Sequence, residues 1–194
     1  MENASKALIM AGSILVGVLI ISLAAYLFNT FAQYGKEHAD AIAQKHMDNF
    51  NSNFLKYQGT EIIDIDDEEY ERPVLATAHN IITLANLARQ NNINQEVVDY
   101  VPSANGLSEK DAHYRYIAVV VKKEGSKGLE TWTESQKNDF KKKGTDIITI
   151  DGKSYNRYYK CTDIKMSGIS GYVYRIEFEE LSDTEYKKLV HEEL

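Results

Sequence analysis

Histidine, cysteine and clustered carboxylates are the side chains with which a chain like this one would bind a metal or attack a substrate, and their spacing decides whether they can. The five histidines fall at His38, His46, His79, His113 and His191. No two stand four residues apart, the helical spacing that turns a pair of imidazoles toward one zinc ion, and no HExxH occurs. Cys161 is the single cysteine, so neither an internal disulfide nor a thiolate cluster can form. It has no histidine beside it in sequence to act as the base that would make it a nucleophile. The densest acidic stretch is IIDIDDEEYERP. A calcium loop counted from Asp64 needs Gly at its sixth position and Glu at its twelfth, where this chain has Glu69 and Leu75. The stretch therefore reads as a loop of solvated charge. Phosphate-cradling glycine loops and the G-x-S-x-G elbow are absent. The expectation is a non-enzymatic protein with no cofactor and no metal.

Tyrosine is the remaining residue type with recognition chemistry, and there are 13 of them. Tyr155, Tyr158, Tyr159, Tyr172 and Tyr174 crowd two neighbouring segments. Tyrosine offers a large contact area at low entropic cost, which suits a surface that meets a peptide or a glycan. The same rings also pair across strands to stabilise a sheet. Which face each tyrosine takes separates these two readings.

The segment that must position all of this lies at the start of the chain. From Ala7 to Gly35 no side chain is charged. A helix rises about 1.5 Å per residue, so roughly 20 apolar residues cross a hydrocarbon layer. Residues 7–30 are expected to form a transmembrane helix behind a short tail, residues 1–6. Ser22-Leu23-Ala24 offers a small-x-small cleavage site, but the apolar run continues through Phe28, which favours a retained anchor. Lys6 lies on one side of the span and Lys36 and Lys45 on the other, close to balance under the positive-inside rule. The expected orientation puts the N-terminus inside and the remaining domain outside. Ser13, Gly17 and Ala24 recur at spacings of four and seven, placing small side chains on one helical face where a second helix can approach closely.

Beyond the span, Phe31, His38, Ile42, His46, Phe50, Phe54 and Tyr57 mark one face of a continuing helix, with polar residues between them. An amphipathic stem over residues 31–58 is expected, ending near Gly59. A head follows over residues 59–194. Pro73 is placed as a first-turn residue of a helix that runs to Asn91-Asn92. The segment 101–115 reads as turn-rich. YIAVVVKK, TDIITI, KSYNRYYKC and GYVYRIEFEE read as strands, with Asp151-Gly152 forming a type I′ hairpin turn. Thr133-x-x-Gln136 and Ser182-x-x-Glu185 are capping boxes for two short helices, the first stopped at Gly144. The expected fold class is α+β: a transmembrane helix, a stem helix, and a small head with an antiparallel sheet of three or four strands and one hairpin.

Twenty-two basic against 29 acidic residues leave a net charge of -7. That balance excludes a nucleic-acid partner, which needs a basic surface to replace counterions. The longest basic run, Lys141-Lys142-Lys143, is too short for a polybasic lipid-binding segment.

An apolar N-terminal helix continuing into an amphipathic stem and a small α/β head resembles type IV pilins and pseudopilins. The resemblance is architectural. The family's processing motif, a Gly before the apolar run and a Glu five residues into it, has no counterpart here, so no functional residue carries over. The opening ENASKAL…AG and the later FNSNFLKYQGT also resemble a group of single-anchor proteins of Gram-positive gut bacteria that share FN-x-x-F-x-x-Y-x-G text. The resemblance to pilins implies a subunit of the bacterial envelope, partnered by the bilayer and by further copies or other envelope proteins. The alternatives are a monomeric anchored module that recognises a peptide or envelope glycan through the tyrosines, and a soluble domain released by cleavage near Ala24.

Overall fold

The computed structural model describes residues 2–65, 68–97, 116–124, 128–168 and 170–190. The turn-rich segment 101–115 lies outside the described residues, as do His113 and His191. The chain divides into two compact units, residues 1–46 and residues 47–194.

The first unit is helix throughout, the main part of α1 (Glu2–Leu55). Its apolar side chains are exposed: Leu8, Ile14, Ile21, Phe28 and their neighbours bury almost nothing. Among the described residues this is the one helix long and apolar enough to cross a membrane, and none of its apolar window is buried. Its hydroxyls are satisfied locally. Ser13 Oγ donates to the Met10 carbonyl at 2.8 Å, Ser22 Oγ to Val18 at 2.8 Å, and Thr30 Oγ1 to Tyr26 at 2.9 Å. A helix in an apolar medium needs this, because no water is present to take those donors.

The second unit begins with the last turns of α1, followed by a 3-10 turn at Lys56–Gln58. Here the expected stem face turns inward: Phe54 and Tyr57 are buried and Phe50 is half-buried. His38, Ile42 and His46, on the same predicted face, stay exposed. Phe50 packs against Phe54 and Tyr172, and Tyr57 meets Phe178 edge-on. The FN-x-x-F-x-x-Y-x-G text is therefore the stretch that the head takes into its core.

The acidic stretch is not a loop. Strands β1 (Thr60–Ile65) and β2 (Glu68–Pro73) pair antiparallel, with Ile62 opposite Glu71 and Asp64 opposite Glu69. Three isoleucines and a threonine among six residues are a strand signal that the carboxylates mask. Pro73 closes β2 and does not open a helix. The chain stays extended through β3 (Leu75–Ala76) because these residues find partners, Lys160 and Tyr159. Helix α2 (Ala78–Asn94) then starts at Thr77, whose Oγ1 accepts the Asn80 N–H.

Strand β4 (Ala118–Val121) leads through a 3-10 turn at Leu129–Thr131 to α3 (Glu134–Gly144). The Thr133–Gln136 capping box forms as expected. Strands β5 (Ile148–Ile150) and β6 (Lys153–Tyr155) form a hairpin over Asp151 and Gly152, whose φ values of 52° and 83° are the left-handed pair of a type I′ turn. The stretch expected as one strand breaks after Tyr155, and β7 (Tyr159–Met166) runs on to pair with β8 (Val173–Glu180). The Ser182–Glu185 box opens α4 (Asp183–Leu189).

The fold is α+β. Its principal sheet has the order β3-β7-β8-β4, antiparallel except for the parallel pair β4 and β8. The long connection between those two strands supplies the crossover that parallel pairing needs. One core packs α2 (Ile81, Ile82, Leu84, Ala85, Ala88) and Phe54 on Ile117, Val119, Val173, Ile176 and Phe178. A second, smaller core holds Ile150, Tyr155, Leu181, Tyr186 and Val190.

Two buried carboxamides bind the strands at points where no neighbouring strand does. Asn51, on the last turns of α1, donates to the Gly171 carbonyl at 2.7 Å and accepts the Val173 N–H at 2.9 Å. Asn92, on α2, donates to the Ile117 carbonyl at 2.9 Å and accepts its N–H at 2.8 Å. Replacing Asn51 by Ala strands one buried donor and one acceptor. The expected loss is about 2–4 kcal/mol of stability, read as a lower urea midpoint for the full-length protein in detergent.

Candidate functional site

Three places carry the residues that sequence reasoning singled out or passed over. The first is the small-residue face of α1. Ser13, Gly17 and Ala24 lie within about 40° of arc on the helix, and all three belong to the surface that the described chain leaves open. Beyond its own helical turn, no described atom stands within 4 Å of the position a Cβ on Gly17 would take. The geometry leaves room there for a close neighbour.

The second place is the tyrosine group, most of which turns inward. Tyr155 is 4% exposed, Tyr159 3% and Tyr174 9%. Tyr158 and Tyr172 are half-buried. Tyr155 lies against Tyr186 with ring centroids 5.9 Å apart, and Tyr159 against Phe140 at 5.6 Å. The Tyr158 N–H donates to the Tyr186 hydroxyl at 2.7 Å. Burial pushes the Tyr186 phenol up to about 12 and raises Tyr159 as well. The break after Tyr155 is what disperses them. Tyr155 then joins the smaller core while Tyr159 joins the larger.

The third place was not visible in the sequence. A cleft of about 180 Å³ is lined by Arg89, Asn92, Tyr116, Glu130 and Thr131. Glu130 is the most acidic of these lining residues and is 4% exposed. The Tyr116 hydroxyl donates to one carboxylate oxygen at 2.8 Å, and the Val119 N–H donates to the other at 2.9 Å. Gly128 makes room for that carboxylate, since a Cβ there would lie 2.1 Å from Glu130 Oε1. Burial raises the Glu130 carboxyl above its ordinary range, although the Val119 N–H, its own N–H, the Tyr116 hydroxyl and the charge of Arg175 oppose the rise. Burial and the neighbouring Glu130 together raise the Tyr116 phenol. Both carboxylate oxygens are engaged by the protein's own donors, so the group works as a clasp on β4. Only the tertiary fold brings Glu130 to Val119, and nothing in G-L-E-T-W announces it.

Cys161 is half-buried in β7, and burial pushes its thiol up to about 11, away from the thiolate form that reacts. Among the described residues no group of three His, Cys, Asp or Glu side chains is placed to hold a metal ion. No protein-family model, curated protein or solved structure matches the chain.

Two carboxyls give the head opposite responses to pH. Glu130, raised in the fold, favours folding when protonated: its contribution is full below its unfolded value and fades as pH rises through the folded one. Glu185 is held at about 2 by the Lys160 ammonium and the Ser182 N–H, so its contribution is present above the usual carboxylate range and is lost as pH falls toward 2. Melting temperature against pH is expected to lose its decline above about pH 4.5 in Glu130→Gln, and to lose part of its acid-side drop in Glu185→Gln.

Proposed function

We propose that this chain is a single-pass membrane-anchored subunit of a bacterial envelope, pilin-like in its manner of assembly, which acts by association and not by catalysis. The observation that carries the reading is the apolar window of α1, uncharged and wholly exposed. Residues 47–194 form a compact unit with its own core, and the window suits the bilayer or another helix. Burying it in hydrocarbon stabilises the anchored state at roughly 25 cal/mol per Å². The face bearing Ser13, Gly17 and Ala24 then lets the helices of neighbouring copies approach, because in lipid the attraction between helices comes from close packing of small residues. In this reading the N-terminal tail stays inside and the head is extracytoplasmic. The partners are the bilayer and further copies or other envelope proteins.

The inward placement of Tyr155, Tyr159 and Tyr174 favours this reading over recognition of a peptide or glycan by an aromatic face. The test is crosslinking of the full-length protein in its native membrane, followed by intact mass. A full-length mass with a ladder of multimers is expected, and Gly17→Ile is expected to reduce the ladder about tenfold while membrane retention is unchanged. A mass lacking the residues up to about Ala24, or a monomer at every concentration, would sink the proposal.

A further inference from the structure

The β1–β2 hairpin presents a face made of Ile62 and Asp64 on one strand and Glu69 and Glu71 on the other. Asp64 stands directly opposite Glu69, and like charges in that relation destabilise a strand pair. All three carboxylates are exposed, and Ile62 between them is 69% exposed. Neither Asp64 nor Glu69 has an ion pair with any described residue. The head therefore holds an acidic face around one exposed isoleucine, and among the described residues no cation pairs with Asp64 or Glu69.

A matching surface of opposite sign lies at the end of α3. Its last turn carries Lys141, Lys142 and Lys143, and Ile147 just beyond it is 60% exposed. Lys143 pairs with Glu124 at 3.4 Å, whereas Lys141 and Lys142 make no ion pair with a described residue. The C-terminal end of a helix favours cations, which accounts for lysines in that turn. It does not account for the bare isoleucine beside them. Each patch thus sets an exposed isoleucine near like charges in sequence or register, Asp64, Glu69 and Glu71 in one and Lys141 and Lys142 in the other, although Asp146 precedes Ile147 and Thr60 Oγ1 donates to Glu71.

We infer that the acidic face of the β1–β2 hairpin docks on the Lys141–Ile147 patch of a second copy of this chain. This rests on the assembly reading above and gives it a contact in the head. The two surfaces differ, so the contact is heterologous. Every copy retains one free patch of each kind, and addition continues as a ring or a line. Copies held in one bilayer by α1 share an orientation, which suits repeated use of the same contact. Charge fixes the register of such a contact and is screened by salt.

The test uses full-length protein in mild detergent in a Cys161→Ser background, mixing copies that carry Ile62→Cys with copies that carry Ile147→Cys under oxidation. A disulfide-linked dimer is expected in the mixture and in neither variant alone. It should fall about fivefold near 1 M salt, where the Debye length is roughly 3 Å. Glu69→Lys with Glu71→Lys on the hairpin copy should abolish it, and Lys141→Glu with Lys142→Glu on the other copy should restore it. If amine crosslinking still gives multimers but no mixed disulfide forms, the head contact is wrong while helix-mediated assembly stands. Ile62→Cys copies that pair with one another as readily would overturn it in favour of a symmetric contact. A charge reversal that the partner copy fails to rescue would overturn it too, because the hairpin's counterpart would then be another basic molecule. Monomers in every assay would remove both this contact and the assembly reading.

Discussion

A strand that ends, or lies at the edge of a sheet, leaves peptide groups that must find partners before they can be buried. In this head those partners are side chains. Asn51 supplies a donor and an acceptor to Gly171 and Val173 beside the start of β8. Asn92 does the same for Ile117, just before β4, and Glu130 accepts the Val119 N–H on β4, an outer strand of the sheet. Removing one of these side chains would leave buried peptide groups without hydrogen bonds, so the sheet depends on three polar residues as much as on its apolar core. The consequence for the last turns of α1 is direct. Phe54 contributes burial, but burial has no direction, whereas the Asn51 amide fixes the helix against one particular peptide.

The apolar part of α1 is built for a different solvent if it crosses a membrane, as its length and composition allow. Its side chains carry no charge, and its hydroxyls bond back to carbonyls three and four residues earlier. In water those bonds gain little, because water would serve equally well. In hydrocarbon they are obligatory. An exposed apolar stretch of this length is costly in water and stable in a bilayer, where a narrow strip of small residues is the kind of surface a neighbouring helix can use.

The head divides its charge unevenly. Several ion pairs stitch its strands and helices together, among them Arg72 with Glu61 and Arg157 with Glu180. Both pairs are partly buried, and the gain from attraction is partly offset by desolvation. The charges at Asp64, Glu69, Lys141 and Lys142, which make no ion pair among the described residues, are more informative, because exposed isoleucines stand near them in sequence and the two sets are opposite in sign. Tyrosine is abundant enough to suggest a recognition surface, but Tyr57, Tyr155, Tyr159 and Tyr186 lie in the interior, where their rings add edge and tilted contacts to the two cores.

Local chemistry was legible in the text. The Asp151-Gly152 turn, both capping boxes and the uncharged span depend on residues within a few positions of each other, and each formed where the residues placed it. The helix after Pro73 was misplaced because Leu75 and Ala76 are held extended by Lys160 and Tyr159, more than eighty positions away. The acidic hairpin was hidden because its isoleucines and carboxylates give contrary local signals, and pairing across the turn decided between them. The parallel match of β4 with β8, the inward turn of the tyrosines and the clasp at Glu130 had no local signature at all. Sequence by itself determined where the helix starts to need an apolar solvent and how the short turns and caps are built. Tertiary structure alone decided which polar groups are buried, since burial is a property of what the rest of the chain brings alongside.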